Sequence, residues 1–270
     1  MSATISAKYV EKPWGCEQID SAFHAPPGRI GEIWFEPPAG LANLLIKYLF
    51  TSERLSVQVH PTAEQAIARG LGPTGKDECW LIIDAQPGAK LGIGFSRSLD
   101  QDELRTACDD GQIANLLVWR DVFPGDFFYL PANTVHAIGP GLVLLELQQN
   151  SDITFRLYDY GRPRQLHLDD GLAVARAEPY PEHLHRHLPD EGEICLVEGP
   201  HFRLDRLDGL PSIGLVKRYG GRPLLVIPLS GEILIGKELI GPGCCGAASD
   251  FGQIRFSPAS MCLLAQPLQD

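Results

Sequence analysis

Polar and apolar residues alternate in short runs along most of the chain, and Gly, Pro, Asn and Asp punctuate the runs. A period of two sends successive side chains to opposite faces, so these runs predict strands at residues 43–50, 55–60, 78–84, 89–94, 126–130, 142–148 and 153–158. Short strands separated by turn signals predict an antiparallel sandwich or barrel. Three segments carry a helical pattern instead. Residues 62–69 follow a proline suited to a helix start, and residues 100–108 follow Ser98 with acidic side chains in the first turn. Residues 168–177 have Asp169 and Asp170 near their start and Pro179 beyond their end. The stretch EPYPEHLHRHLPDEGE, residues 178–193, is polar and proline-rich and predicts a linker. Strands resume at residues 194–197, 202–207, 224–228, 232–235 and 261–265. The expected organisation is a larger β-domain over residues 1–180 and a smaller one over residues 181–270.

Composition narrows the function classes. Of the 270 residues 44% are hydrophobic, enough for a large core, and a net charge of -11 argues against a nucleic-acid partner, which needs a basic surface. No apolar run approaches the roughly 20 residues of a membrane span. The opening MSATISAKYVEKPWG lacks the apolar stretch of a secretory signal. Seven cysteines without a CxxC pair read as reduced thiols and predict a cytoplasmic protein. An acidic chain can still hold a locally basic pocket, so an anionic small substrate stays open.

Four groups of residues carry candidate chemistry. In LSVQVHP, the side chains of Ser56, Gln58 and His60 share one strand face, which is either a functional face or a solvated one. In GKDECW, Lys76 and Glu78 share a face, as functional groups or as an exposed ion pair. A phosphate-binding P-loop is excluded there, because Gly70 and Gly72 have the wrong spacing and Asp77 stands where Ser or Thr is needed. The run GDFFYLPANTVHAIG leads from a turn glycine, Gly125, through a Pro131-x-Asn133 turn to His136. Asn133 occupies a slot suited to glycine, and asparagine accepts positive φ best among the other residues. In LELQQNSDITFRLYDYGR, Glu146 and Gln148 alternate with leucines, and Asp152, Thr154 and Arg156 alternate with Ile153, Phe155 and Leu157. Such strands turn their polar groups into a cavity or onto a polar outer surface.

The spacing of glycine, proline and His136 resembles the second cupin motif. With QVHP, GKDECW and LELQQNSDITFRLYDYGR it resembles the signature segments of type I phosphomannose isomerases, particularly the short bacterial members. The likeness runs over about residues 44–165 and extends upstream through Lys12-Pro13-Trp14-Gly15 and Gly31-Glu32-Ile33-Trp34. It implies a mainly β protein, a cupin jelly-roll barrel with a few helices, and a zinc-dependent interconversion of mannose 6-phosphate and fructose 6-phosphate. It further implies Gln58, His60, Glu78 and His136 as zinc ligands and Arg156 as the group holding the C1–C2 oxygens. Lys76 and Asp152 would serve in hydrogen bonding or proton transfer, and Ser56 would meet the phosphate. Glu146 is a candidate base, while Arg162 and Arg164 are candidate phosphate partners. Two departures bear on the pocket wall: the link over residues 35–43 is shorter than in relatives, and the C-terminal part is compact.

Two other readings compete. A cupin oxygenase is disfavoured because Gln58 replaces the first histidine of the usual HxH and Glu78 lies well downstream. A non-catalytic sugar-binding cupin is disfavoured because the ligand set and Arg156 are both present. The cluster His183, His185 and His187 reads as part of a solvated linker, and Cys244-Cys245 reads as structural.

Overall fold

A computed structural model describes residues 3–268. In chain order its first strands are β1 (Ala7–Cys16), β2 (Ile30–Phe35), β3 (Leu44–Thr51), β4 (Val57–Val59), β5 (Glu78–Ala85), β6 (Lys90–Phe95), β7 (Leu117–Asp121), β8 (Asp126–Leu130), β9 (His136–Ile138), β10 (Leu142–Gln149), β11 (Phe155–Tyr158) and β12 (His185–His187). Helix α1 (Ala63–Ala68) lies between β4 and β5, α2 (Gln101–Asp109) and α3 (Ile113–Leu116) between β6 and β7, and α4 (Leu168–Val174) after β11.

These strands form two antiparallel sheets, of order β1-β2-β3-β10-β5-β8-β12 and β11-β4-β9-β6-β7. The sheets face each other as a jelly-roll sandwich. Among the described residues no ladder closes them into a single barrel. Between them Trp80, Ile82, Phe128 and Leu144 pack against Leu91, Ile93 and Ile138. The outer face of the smaller sheet, with Val57, Val59, Ala137 and Leu157, is covered by Leu104 and Ala107 of α2 and by Leu172 and Val174 of α4.

The larger sheet is covered on its other face too. Ile46, Tyr48, Leu145 and Leu147 share a core with Leu225, Ile227, Leu263 and Ala265. Those partners belong to a second five-stranded sheet, built from Ile194–Glu198, Phe202–Asp208, Met261–Pro267, Leu224–Ser230 and Gly246–Ala248 in that spatial order. Coverage on both sides explains why every residue of β3 is buried and why its sequence is almost continuously apolar.

Several elements depart from the sequence expectation, each for a local reason. Strand β1 contains Pro13 and Gly15 and lacks clean alternation; it is an edge strand with register shifts, where proline is tolerated. Residues 185–187, expected in a linker, instead pair with β8, His185 opposite Phe128 and His187 opposite Asp126. An edge strand has one solvated side, so its polar sequence masked it. Helix α2 is capped by Asp100 rather than Ser98: the Asp100 carboxylate accepts from the Glu103 amide at 2.8 Å, and Glu103 accepts in return from the Asp100 amide at 3.1 Å.

Candidate active site

Register aligns the site. Across the smaller sheet Arg156 of β11 pairs with Gln58 of β4, which pairs with His136 of β9. Across the larger sheet Trp34, Lys47, Glu146 and Trp80 form one row, and Gln148 stands opposite Glu78. The two rows face each other across a cavity of about 420 Å³, lined by Ser56, Gln58, Lys76, Glu146, Asp152 and Arg156, with Lys47 and Trp34. A hollow of about 480 Å³ beside Cys195 and Arg218 is larger. Volume therefore does not select the site; chemistry does.

Directly behind Gln58 and Lys76 of that cavity lie His60, Glu78 and His136, each 1–2% exposed, with one donor atom apiece all within 4.8 Å of one another. Among the described residues this is the one such histidine–carboxylate cluster. His60 donates Nδ1–H to the Ile153 carbonyl at 2.9 Å, and His136 donates Nδ1–H to the Thr134 carbonyl at 2.9 Å. A carbonyl can only accept, so these bonds fix the tautomers and leave both Nε2 lone pairs facing Glu78. The Nε2 of His136 is 3.3 Å from Glu78 Oε1, and that of His60 is 3.6 Å from Oε2. Neither Glu78 oxygen has an aligned hydrogen-bond donor, although Lys76 Nζ lies 2.9 Å from Oε2.

Two imidazole lone pairs and an underused buried carboxylate form a donor set suited to zinc. Anchoring of the far ring nitrogen on a backbone carbonyl is the usual outer support of such ligands. Gln58 stands beside this set: its amide approaches His136 Nε2 to 3.1 Å, and turning the amide over directs its oxygen there. Ser56 Oγ, 3.3 Å from the other amide atom, serves either orientation because a hydroxyl both donates and accepts. The residues present fit the metal.

Electrostatics agrees. Burial, reinforced by the Lys76 charge, holds His60 well below the usual imidazole range, and burial brings His136 down to about 4. Both are therefore neutral near pH 7, the ligating form. Burial raises the Glu78 carboxyl, opposed by Lys76. Burial works against the Lys76 ammonium, but Glu78 and Glu146 outweigh it and hold it up at about 12. Burial likewise works against the Glu146 carboxylate, but Lys76 and Lys47 outweigh it and lower its pKa, so it stays ionised. With both carboxylates ionised, Glu78 and Glu146 balance Lys47 and Lys76, and Glu32, the third buried glutamate, is paired with Lys12 at 3.2 Å, so a divalent ion would leave this end of the cavity positive.

A relative from Streptococcus mutans, a mannose-6-phosphate isomerase, is 40% identical over 218 residues, covering 77% of this chain and 67% of that one. The chain belongs to the mannose-6-phosphate isomerase family. Mannose-6-phosphate isomerase ManA of Bacillus subtilis is also 40% identical, over 211 residues, covering 74% of this chain. The chain spans 65% of that relative's length. The crystal structure of the mannose 6-phosphate isomerase from Bacillus subtilis superposes with a TM-score of 0.78 at 23% identity, covering 97% of this chain and 98% of that one. A zinc-bound mannose 6-phosphate isomerase superposes with a TM-score of 0.71 at 14% identity, covering 98% of both chains. These likenesses show the fold. No family model matches the chain.

The expected residues sort clearly. Gln58, His60, Glu78 and His136 converge; Ser56, Lys76, Glu146, Asp152 and Arg156 line the cavity above them. Asp152 stands at the rim, 3.8 Å from Lys47 Nζ. Arg164 lines the cavity, whereas Arg162 does not: its Nη2 donates to Asp159 at 2.7 Å and to the Arg54 carbonyl at 2.8 Å. Sequence reasoning passed over Lys47, Glu32 and Trp34. Lys47 lies 4.4 Å over the Trp34 ring and 3.7 Å from Glu146, and Glu32 accepts the Trp34 indole N–H at 2.7 Å. The signal was present: one lysine inside the otherwise apolar LLIKYLF, buried at 5% exposure, requires a partner.

Asn133 ties the two histidine-bearing segments together. Its φ is 74°, its backbone N–H donates to the His60 carbonyl at 2.7 Å, and its side-chain amide donates to that carbonyl and to Gln65. Asn133→Ala loses the side-chain bonds while keeping the left-handed backbone, and is expected to cost about 2–3 kcal/mol of stability. Urea denaturation reads this as a lower midpoint, and an unchanged midpoint contradicts it.

Proposed function

We propose that this protein is a zinc-dependent aldose–ketose isomerase interconverting mannose 6-phosphate and fructose 6-phosphate. One observation carries the reading: the cluster of His60, Glu78 and His136 lies directly behind Gln58 and Lys76 of a cavity also lined by Glu146 and Arg156, in a chain of this family. The zinc-bound relative supports the choice of metal. Gln58, His60, Glu78 and His136 would hold it, and a bound zinc supplies Lewis acidity towards a sugar carbonyl or hydroxyl oxygen.

The reaction moves a proton between adjacent carbons through an enediolate, so the protein must supply a base and hold oxyanion charge. Glu146 is the base in this reading: it lines the cavity, stays ionised, and has Oε2 fixed by the Trp80 indole N–H at 3.0 Å. Lys76, held protonated, donates hydrogen bonds to the sugar oxygens, while Arg156 steadies charge developing at C1 and C2. Lys47 keeps Glu146 oriented through their 3.7 Å contact, and Asp152 holds Lys47 from the rim.

A coupled assay following fructose 6-phosphate formation from mannose 6-phosphate tests the reading. Activity is expected with the zinc-loaded protein, is lost after chelation, and returns with zinc. Full activity in chelator, with no metal in the protein, would overturn it.

A further inference from the structure

The cations of the cavity are unevenly compensated. On the side of the larger sheet each ammonium has a carboxylate: Lys12 with Glu32 at 3.2 Å, Lys47 with Glu146 at 3.7 Å and Lys76 with Glu78 at 2.9 Å. At the opposite end Arg162 and Arg164 share one buried carboxylate, Asp159, and Arg162 also lies 3.9 Å from the exposed Glu53. Asp159 Oδ1 accepts from Arg162 and Arg164 at 2.7 and 2.6 Å, and Oδ2 accepts from Arg164 Nε at 2.6 Å. Arg156 has no carboxylate against it; its Nη1 donates to the Gln165 carbonyl at 2.6 Å, and its buried Nε has no partner among the described residues. Of the two guanidiniums that line this end, Arg156 is unpaired and Arg164 shares Asp159 with Arg162, which leaves a net positive charge where the cavity meets Arg164 and His167.

Geometry makes this surplus usable. Asp159 takes Nε and Nη2 of Arg164, which fixes the plane of the guanidinium and leaves Nη1 for another acceptor. His167 Nδ1 accepts the Arg156 backbone N–H at 3.2 Å, so in the neutral ring Nε2 carries the proton and donates. Arg156 and His136 are two strands apart in one row, which separates their backbones by roughly 10 Å. That is about the span of an open-chain hexose phosphate laid from the metal end to the arginine end.

We propose that Arg164 and His167, with Arg164 oriented by Asp159, form the subsite that receives the phosphate dianion of the substrate. The assignment rests on the sugar-phosphate reading of the cavity. It places the phosphate on Arg164 and His167 rather than on Arg162, whose donors are turned to Asp159 and Arg54, and away from Ser56, which lies beside Gln58 at the metal end.

The test uses inorganic phosphate as probe, measured as competitive inhibition and, independently of turnover, as thermal stabilisation of the zinc-loaded protein. Arg164→Gln and His167→Gln are each expected to weaken phosphate by about tenfold or more, the size of a lost charge-assisted hydrogen bond. The KM for mannose 6-phosphate should rise in parallel, with kcat and zinc content changing far less. Because Arg164→Gln frees a buried carboxylate and can unfold, Arg164→Lys is the second variant. It keeps the ion pair but loses the fork, and should also weaken phosphate. The proposal is overturned if phosphate binds these variants as tightly as the wild type, or if Arg162→Gln weakens it more than Arg164→Gln does. A wild type that binds phosphate through Arg164 but does not turn over mannose 6-phosphate would sink the isomerase reading and leave the subsite standing.

Discussion

Replacing His136 with alanine is expected to remove zinc and turnover together. The ring is 1% exposed, its Nδ1–H is tied to the Thr134 carbonyl, and its Nε2 faces both Glu78 and Gln58. Nothing else on β9 can take its place, since Ala137 turns to the opposite face and Ile138 is apolar. Zinc sites of four ligands have apparent binding free energies on the order of 10–16 kcal/mol, or about 2.5–4 kcal/mol per ligand. Loss of one ligand should therefore weaken zinc by roughly a hundred- to a thousandfold, about the ratio that 2.5–4 kcal/mol represents. Competition with a chromophoric chelator measures the affinity, and the coupled assay measures the rate. A His136→Ala protein that keeps wild-type zinc affinity would contradict the proposed ligand set.

Arg156→Ala separates the two functions. Arg156 lines the cavity but does not belong to the metal-ligating cluster, so zinc should bind as in the wild type. Its guanidinium is half-buried and has no carboxylate against it, so its charge is available to substrate; burial and the nearby Arg164 charge lower its pKa. Removing a preorganised donor from oxyanion charge costs about 10²–10³ in kcat. Unchanged zinc content with kcat down by that factor is the expected result. Loss of zinc, or a change confined to KM, would remove Arg156 from the chemical step.

The sequence was most legible where a side chain's chemistry and its strand parity agreed. Gln58 and His60 lie on one face of an alternating run, and Glu146 interrupts leucines, so their convergence could be expected before any coordinates. The Pro131–Asn133 turn was legible for a different reason: its backbone demands positive φ, and few residues tolerate that. What could not be read was partnership across sheets. Lys47 is one apolar strand's exception, and only the ladder between β3 and β10 shows that its counter-charge lies 99 residues downstream at Glu146. Arg162 and Arg164 were equivalent as letters. Their two-residue separation settles nothing in the irregular stretch after β11, where Asp159 selects which one reaches the cavity. The edge strand β12 was hidden for the converse reason: one-sided pairing requires no apolar code.

Strand β10 answers to two neighbours at once. Its odd-numbered Leu145 and Leu147 belong to oil shared with the C-terminal sheet, and its even-numbered Glu146 and Gln148 belong to the opposite side, where the chemistry is. A single residue inserted before Leu144 would exchange the two sets, delivering leucines to the cavity and a carboxylate to the hydrocarbon. Reading frame along this strand, more than the identity of any one letter in it, keeps catalysis and folding on separate sides of the same ribbon.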